Sequence, residues 1–228
     1  MIYGNTGSSR AQRMAIVAAE SVIALVAAWV LVAGGIGTIN AWLGTHLPIG
    51  APFRRIILLG FIVVTYIRMT LMITVLLKRN IGWQEAASVP FAFGLYYVGF
   101  ALLGGTCPAP FGPLDLVALA LFVTGASINT VSELLRRRWM DAAENRGELY
   151  TGGLFRYSRH MNYFGDLIWV SAWALFTRNP WSAIIPAFLF CFFAFYNVPI
   201  LDKHLAEKYG AAFEAYRKRT KGLIPFVL

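Results

Sequence analysis

The sequence predicts an all-α integral membrane protein, a bundle of about six transmembrane helices with an amphipathic C-terminal helix in the cytosol. Of its 228 residues, 58% are hydrophobic and only 14% are charged, whereas about a quarter of the residues of a soluble domain are charged. The apolar residues also form runs of about 20, the length that crosses a bilayer. This composition excludes a disordered chain, which needs low hydrophobicity and high charge.

The apolar runs predict six spans, separated by turn residues and without an internal repeat. A run of about 23 residues near the N-terminus is too long for a signal peptide and lacks a clear cleavage site, so we expect an uncleaved first span. The spans are predicted at 14–36, 56–77, 87–105, 114–135, 164–178 and 181–201. We expect one membrane domain over 1–228, with an N-terminal span and loop over 1–55 and a core over 56–228.

Charge predicts the orientation. If the N-terminus is cytoplasmic, 16 of the 20 Lys and Arg residues, Lys78 among them, fall on the cytoplasmic side. This asymmetry follows the positive-inside rule and predicts that both termini are cytoplasmic. Basic residues at this surface favour contact with anionic lipids. We therefore expect membrane lipids as partners and no nucleic acid, while the oligomeric state stays open.

Polar residues also occur inside the spans, where they are costly. Arg68 lies about 13 Å from the cytoplasmic end of the second span at ~1.5 Å per residue. It either snorkels or pairs with another helix, or it contacts an anion or a cofactor. Asn129, Glu133 and Arg137 are four residues apart at the end of the fourth span and share one helix face. This polar stripe indicates a cofactor pocket or a structural ion pair.

The segment GGLFRYSRHMNYFGD, residues 152–166, carries the densest polar chemistry in the chain. Its arginines, Arg156 and Arg159, and His160 can contact a phosphate or a carboxylate. Asn162 offers both donors and acceptors, and Asp166 lies four residues further on. An interfacial belt of basic and aromatic residues is the alternative, but such a belt does not require Asn162 and Asp166.

The tail that follows Asp202 is amphipathic, because Leu205, Tyr209, Phe213 and Tyr216 recur at helical spacing. Alone, this pattern predicts a helix on the membrane surface. Three histidines and two cysteines are too few and too scattered for a clear metal site or a disulfide framework. We therefore predict no metal.

From about Tyr66 to the end, the chain resembles the steroid 5-alpha-reductase family and its bacterial relatives of the DUF1295 type. The segment at 152–166 matches that family's Gly-Gly-Leu-Phe block and its Asn-aromatic-x-Gly-acid core, and KGLIPFVL at 221–228 is similar to its ending. The closing half also resembles sterol reductases and, more distantly, isoprenylcysteine methyltransferases. The resemblance implies that the cytosolic half of the bundle binds NADPH.

The family resemblance implies roles for individual residues of this chain. The resemblance assigns cofactor contacts to Arg68, Asn129, Glu133, Arg137, Asn162, Asp166 and Tyr209, and the basic motif adds Arg156, Arg159, His160 and Tyr163. It places the catalytic tyrosine near Tyr66. The steroid reductases also carry a Gln-Glu pair that meets the substrate carbonyl, and we find no such pair in the preceding helix.

The leading hypothesis is an NADPH-dependent reductase of a conjugated double bond in a lipid such as a 3-oxo-steroid, with Tyr66 as the carbonyl donor. The alternative is an S-adenosylmethionine-dependent methyltransferase of a lipid or prenylated substrate, because the Arg159-His160-x-x-Tyr163 pattern occurs in that branch too. A third hypothesis, a lipid-binding scaffold without activity, rests on the missing Gln-Glu pair. The arginines favour phosphates over a sulfonium, which supports the reductase.

Overall fold

A computed structural model describes residues 9–77 and 79–228, so that residues 1–8 and Lys78, one of the basic residues counted for orientation, lie outside it. All regular elements of the described residues are helical, which confirms the predicted all-α fold. The α-helices are α1 Arg10–Val32, α2 Gly35–Leu43, α3 Pro52–Leu71, α4 Trp83–Gly94, α5 Phe100–Gly105, α6 Pro113–Asp141, α7 Met161–Thr177, α8 Ile184–Phe192, α9 Val198–Tyr209 and α10 Ala211–Arg219. Three π-helical segments, Met72–Leu76, Leu95–Gly99 and Phe193–Asn197, follow α3, α4 and α8.

Five helical stretches in the described residues are long and apolar enough to cross a membrane. They are Arg10–Val32, Pro52–Leu76, Trp83–Gly105, Pro113–Asp141 and Pro180–Tyr209. Large apolar side chains on these stretches are exposed; Leu25 is 70% exposed and Phe188 is 63% exposed. Such exposure is typical of residues that face lipid in a multi-pass membrane protein. The remaining predicted span, 164–178, corresponds to α7, which has 17 residues. At ~1.5 Å per residue α7 is ~25 Å long, shorter than the ~30 Å hydrocarbon core.

The amphipathic tail differs from its prediction. The stretch that begins at Pro180 continues as helix through Asp202 to Tyr209, because the first break is Gly210, with φ of +51°. The separate tail helix is α10, which begins at Ala211. Phe213 and Tyr216 are its buried residues, so the predicted apolar face of the tail is present there, while Tyr209 lies at the end of the last spanning stretch.

The described residues form two compact units. The first contains the described part of Met1–Ala118 together with Trp173–Ile185. In it, α1 packs against α3, α4 and α5, and its core consists of large apolar and aromatic residues: Leu31, Leu58, Phe61, Tyr97, Phe100, Trp173 and Phe176. The second unit contains Leu119–Ala172 and Pro186–Leu228. The prediction of one domain stays a prediction.

In the second unit, α6 and α7 approach each other through two glycines. A Cβ atom added to Gly165 would lie 2.6 Å from the backbone nitrogen of Asn129, and one added to Gly125 would lie 2.5 Å from that of Trp169. Real side chains do not tolerate such distances to a backbone. The two glycines therefore allow the close crossing that brings Asn129 next to the first turns of α7.

Gly165→Ala is expected to destabilise the protein by about 1–3 kcal/mol, because the added methyl group forces the two helices apart. The measurement is the thermal midpoint in detergent. Gly60→Ala is the matched control, since that helical glycine has no atom within 4 Å of an added Cβ. There alanine stabilises the helix by up to about 1 kcal/mol. Equal midpoints for the two variants would contradict the close crossing.

Candidate functional site

The first unit contains a buried polar group, the Glu20 cluster, formed by Glu20, Ser21, Tyr66, Arg68 and Tyr97. Glu20 and Tyr97 are fully buried, and Tyr66 and Arg68 are half-buried. The Tyr66 hydroxyl lies 2.7 Å from Ser21 Oγ, and the Tyr97 phenol is within electrostatic range of Glu20, Arg68 and Tyr66. Within the described residues, neither the Glu20 carboxylate nor the Tyr97 hydroxyl has a hydrogen-bond partner.

Sequence reasoning selected Tyr66 and Arg68 and missed Glu20 and Tyr97. Glu20 follows an alanine and is not part of a Gln-Glu pair. A signal was available in the sequence, because Glu20 is the only acidic residue before Glu85 and it lies within the first apolar run. An ionisable residue inside a span is a functional candidate by default. Tyr97 carries no comparable signal, since tyrosine is common in membrane helices.

The second unit brings residues of the polar stripe on α6 together with residues of the Gly-Gly segment. We call this group the Asn162 cluster: Asn129, Asn162, Asp166 and Trp169. Asn129 Nδ2 donates to Asp166 Oδ1 at 2.8 Å and to the Asn162 carbonyl at 3.2 Å. Trp169 Nε1 also donates to Asp166 Oδ1, at 2.8 Å. These bonds fix the asparagine of α6 and the acid of α7 in one half-buried polar group.

The rest of the stripe makes local ion pairs. Glu133 accepts from Arg136 Nη2 at 2.5 Å, and Arg137 Nε donates to Asp141 at 2.9 Å. Both pairs join residues three or four apart on α6. Partly exposed pairs of this kind contribute little stability. Their predicted contact with a cofactor stays a prediction.

Arg159 and His160 form a second group with a residue that the sequence did not single out as a partner, Asp202 of α9. Arg159 Nη2 lies 2.6 Å from Asp202 Oδ2, and His160 Nε2 lies 2.8 Å from Asp202 Oδ1. Arg159 also donates to the Thr220 carbonyl. We call these residues the Asp202 cluster. Because Asp202 engages both side chains, Arg159 and His160 orient the start of α7. Their predicted contact with a phosphate stays a prediction.

The two sequence blocks that carry the family resemblance dock on each other. The amides of Arg159 and His160 donate to the carbonyls of Lys221 at 2.9 Å and Gly222 at 3.0 Å. Ser158 Oγ lies 2.9 Å from the Gly222 and Leu223 carbonyls. The buried Tyr216 hydroxyl donates to the Phe155 carbonyl, and burial raises the pKa of that phenol. The chain ending thus holds the Gly-Gly segment in place.

The remaining predicted residues are Arg156 and Tyr209, which belong to neither cluster, and Tyr163, which contacts the Asp202 cluster through His160. Arg156 is exposed, with its guanidinium 4.7 Å from the Tyr157 ring centroid. Tyr163 stacks between His160, at 5.5 Å between ring centroids, and Phe193, at 4.5 Å. Tyr209 is half-buried, and Lys208 Nζ lies 4.9 Å from its ring centroid. Among the described residues, no group of three or more His, Cys, Asp or Glu side chains could hold a metal ion.

Comparison with known proteins supplies relatives for this arrangement. A family model described as "Protein of unknown function (DUF1295)" matches residues 84–220, more than half of the chain. The chain is 28% identical to the 3-oxo-5-alpha-steroid 4-dehydrogenase 1 of Rattus norvegicus over 182 residues, 75% of this chain and 67% of that protein. It is 32% identical to the Homo sapiens protein of the same name over 115 residues, 50% of this chain and 42% of that protein.

A third relative belongs to the second type of this enzyme. The chain is 35% identical to the 3-oxo-5-alpha-steroid 4-dehydrogenase 2 of Sus scrofa over 107 residues, 47% of this chain and 40% of that protein. The chain thus spans less than half the length of the human and pig relatives that it matches. The residues matched by the family model include the Asn162 and Asp202 clusters and Tyr97. The chain belongs to the DUF1295 family and is a relative of the steroid 5-alpha-reductases.

Proposed function

We propose that this protein is a membrane-embedded, NADPH-dependent reductase of a conjugated carbon–carbon double bond in a lipid-soluble substrate such as a 3-oxo-steroid. The observation that carries the proposal is the Glu20 cluster, a carboxyl and two phenols inside membrane spans. Buried polar groups of native proteins nearly always have partners, and two of these three have none within the described residues. A substrate oxygen that enters from the lipid supplies such a partner.

The residues of the second unit suit a nucleotide phosphate cofactor by their chemistry. Arginines such as Arg137 and Arg156 bind phosphate bidentately, and carboxylates such as those of Glu133 and Asp166 accept hydrogen bonds from ribose hydroxyls. The Asn162 side-chain amide can donate and accept, as recognition of a carboxamide requires. These residues, with Asn129, Arg159, His160, Tyr163 and Tyr209, are the proposed cofactor contacts of the second unit. The contact of Arg68 with the cofactor stays a prediction.

When bound, NADPH supplies the hydride, and the chain's own residues stabilise the negative charge that develops on the substrate. Reduction of an enone places negative charge on the carbonyl oxygen. Hydroxyl donors preorganised in a water-poor site stabilise such charge and contribute strongly to the rate. Tyr66, and the Glu20 carboxyl when it is protonated, can donate to that oxygen.

We also infer that both termini face the cytoplasm, because most Lys and Arg residues lie on that side of the predicted topology.

The test is ligand binding followed by thermal stability in detergent. NADPH is expected to raise the midpoint, because a ligand that binds only the folded state stabilises it by about 2.7 kcal/mol at 100 times its Kd. Asn162→Ala and Arg137→Ala are expected to lose this shift. Arg138→Ala, at an exposed arginine of the same helix, is the control and is expected to keep it. A midpoint raised by S-adenosylmethionine and not by NADPH would reject the reductase in favour of the methyltransferase.

A further inference from the structure

Helices α9 and α10 border an open cavity in the second unit. α9 ends before Gly210, whose φ of +51° breaks the helix, and α10 begins at once and packs against α9. Phe213 and Tyr216 hold α10 in place by their buried side chains. The cavity has a volume of about 480 Å³ and is lined by Arg159, which precedes α7, by Arg217 of α10 and by five residues of α9. Side chains from three parts of the chain thus surround one space.

The lining of this cavity divides into an apolar part and a basic part. The apolar part consists of three residues of α9, which are Val198, Pro199 and Ala206. The basic part consists of Arg159, Lys203 and Arg217, together with the carboxylate of Asp202. Three cations and one carboxylate give the lining a net charge of +2. The cavity therefore complements a ligand that carries negative charge at one end and apolar groups at the other.

Two of the three cations are available to such a ligand. Arg159 is already engaged, because its Nη2 lies 2.6 Å from Asp202 Oδ2 and its Nη1 donates to a backbone carbonyl of the tail. Lys203 is exposed and makes no ion pair or hydrogen bond with another described residue. Arg217 lies 3.6 Å from Glu214 in an exposed pair, which contributes little stability. An anion is thus expected to bind between Lys203 and Arg217.

The cavity lies at the depth of the lipid headgroups. The last spanning stretch, Pro180–Tyr209, has 30 residues and at ~1.5 Å per residue is ~45 Å long, which exceeds the ~30 Å of the hydrocarbon core. All of its charged residues follow Leu201, so the end that contains Lys203 is the one that extends into the headgroup region. Val198 and Pro199 come before Lys203 along the helix and therefore lie closer to the hydrocarbon. This order of apolar and basic groups matches that of a phospholipid.

We propose that the cavity binds an anionic phospholipid of the surrounding bilayer, with its phosphate between Lys203 and Arg217 and the start of its acyl chains against Val198 and Pro199. Basic pockets between membrane helices bind the headgroups of anionic lipids in this way. Neither Lys203 nor Arg217 is a proposed cofactor contact, so the inference goes beyond the proposed function and does not depend on it. The bound lipid joins α9 to α10 and stabilises the folded state.

The test is a lipid titration followed by native mass spectrometry of the full chain in a neutral detergent, with phosphatidylglycerol and phosphatidylcholine of identical acyl chains. The wild-type protein is expected to bind one phosphatidylglycerol in preference to phosphatidylcholine. Lys203→Gln with Arg217→Gln is expected to lower the affinity for phosphatidylglycerol about 30-fold, the effect of two basic residues near an anionic headgroup. Lys208→Gln with Lys218→Gln removes the same charge from exposed positions of α9 and α10 and is the control, expected to keep that affinity.

A further variant separates the cavity from the general charge of the surface. Ala206→Leu occupies part of the cavity and leaves all three cations in place, so we expect it to weaken the binding of phosphatidylglycerol as well. Thermal midpoints in lipid-free detergent verify that every variant is folded. Phosphatidylglycerol is expected to raise the midpoint of the wild-type protein and of the control, because it binds the folded state.

Three results overturn the site. Unchanged affinity in the variant that lacks Lys203 and Arg217, or in Ala206→Leu, places the lipid elsewhere. An equal loss in the control shows that the lipid responds only to the total charge. Displacement of the lipid by an equal concentration of glycerol 3-phosphate or of NADPH, which carry phosphate without acyl chains, assigns the cavity to a soluble phosphate. A protein that fails to bind NADPH overturns the proposed function and leaves the lipid site intact.

Discussion

Asp115→Asn is expected to lower the free energy of unfolding by about 3–5 kcal/mol, because it leaves a buried arginine without its counter-ion. In the first unit Arg54 and Asp115 are both fully buried, with Arg54 Nη1 2.8 Å from Asp115 Oδ1. Arg178 Nη2 lies 2.9 Å from the other carboxylate oxygen, and the Gly112 amide donates to that same oxygen at 2.9 Å. Asparagine retains the shape of the side chain and removes the charge.

The measurement is reversible unfolding in detergent, with Glu214→Gln as the control. Glu214 and Arg217 form an exposed pair at 3.6 Å, for which we expect a change of less than about 1 kcal/mol. A double variant, Arg54→Met with Asp115→Leu, is expected to recover much of the loss, because replacing both members of a buried pair with apolar residues is often neutral. If Asp115→Asn were as stable as the wild-type protein, the pair would not hold the first unit together.

Glu20→Leu is expected to lower kcat/KM for enone reduction by about 100-fold or more while it makes the protein more stable. Activity falls because the substrate oxygen loses one of its charge-stabilising groups. Stability rises by about 1–3 kcal/mol, because the fully buried carboxyl lacks a hydrogen-bond partner within the described residues and leucine removes that cost. Opposite signs for activity and stability distinguish a functional residue from a structural one.

Kinetics in detergent and thermal midpoints of the same preparations provide both readouts for Glu20→Leu. Glu85→Gln is the control within the same unit, since Glu85 pairs with Arg79 at 2.5 Å and its side chain is 24% exposed. That control is expected to change stability by less than about 1 kcal/mol and to leave activity unaltered. A Glu20→Leu protein that is less stable than the wild type would show that Glu20 has a structural partner.

Much of the fold followed from local patterns in the chain. Four of the predicted spans overlap helical stretches whose bounds differ from the predicted ones by about six residues or fewer, because a run of about 20 apolar residues forces helix formation in lipid. The predicted bounds of the last span and of the tail helix were less accurate. The helix continues through Asp202 to Tyr209, since hydropathy falls at the charged residues while the backbone breaks only at Gly210.

The site was predictable to the extent that its residues share a helix or a short segment. Asn129, Asn162 and Asp166 were selected from helical spacing and from the Gly-Gly segment, and the close crossing of α6 and α7 joins them. Asp202 was not predicted as the partner of Arg159 and His160. Asp202 is 43 residues from Arg159 and 42 residues from His160 in sequence, and neither hydropathy nor helical periodicity relates residues at that separation.

The sequence by itself determined that the chain is a helical membrane protein, that polar residues such as Arg68 and Asn129 enter its spans, and which family it resembles, because composition and short motifs are local properties. Only the tertiary structure decided which polar residues already have partners. It engages Arg159 and His160 with Asp202 and Arg54 with Asp115. It leaves Glu20 and Tyr97 without a hydrogen bond in the described residues. Hydrogen bonding is short-ranged and directional, so this distinction arises only when distant helices pack side by side.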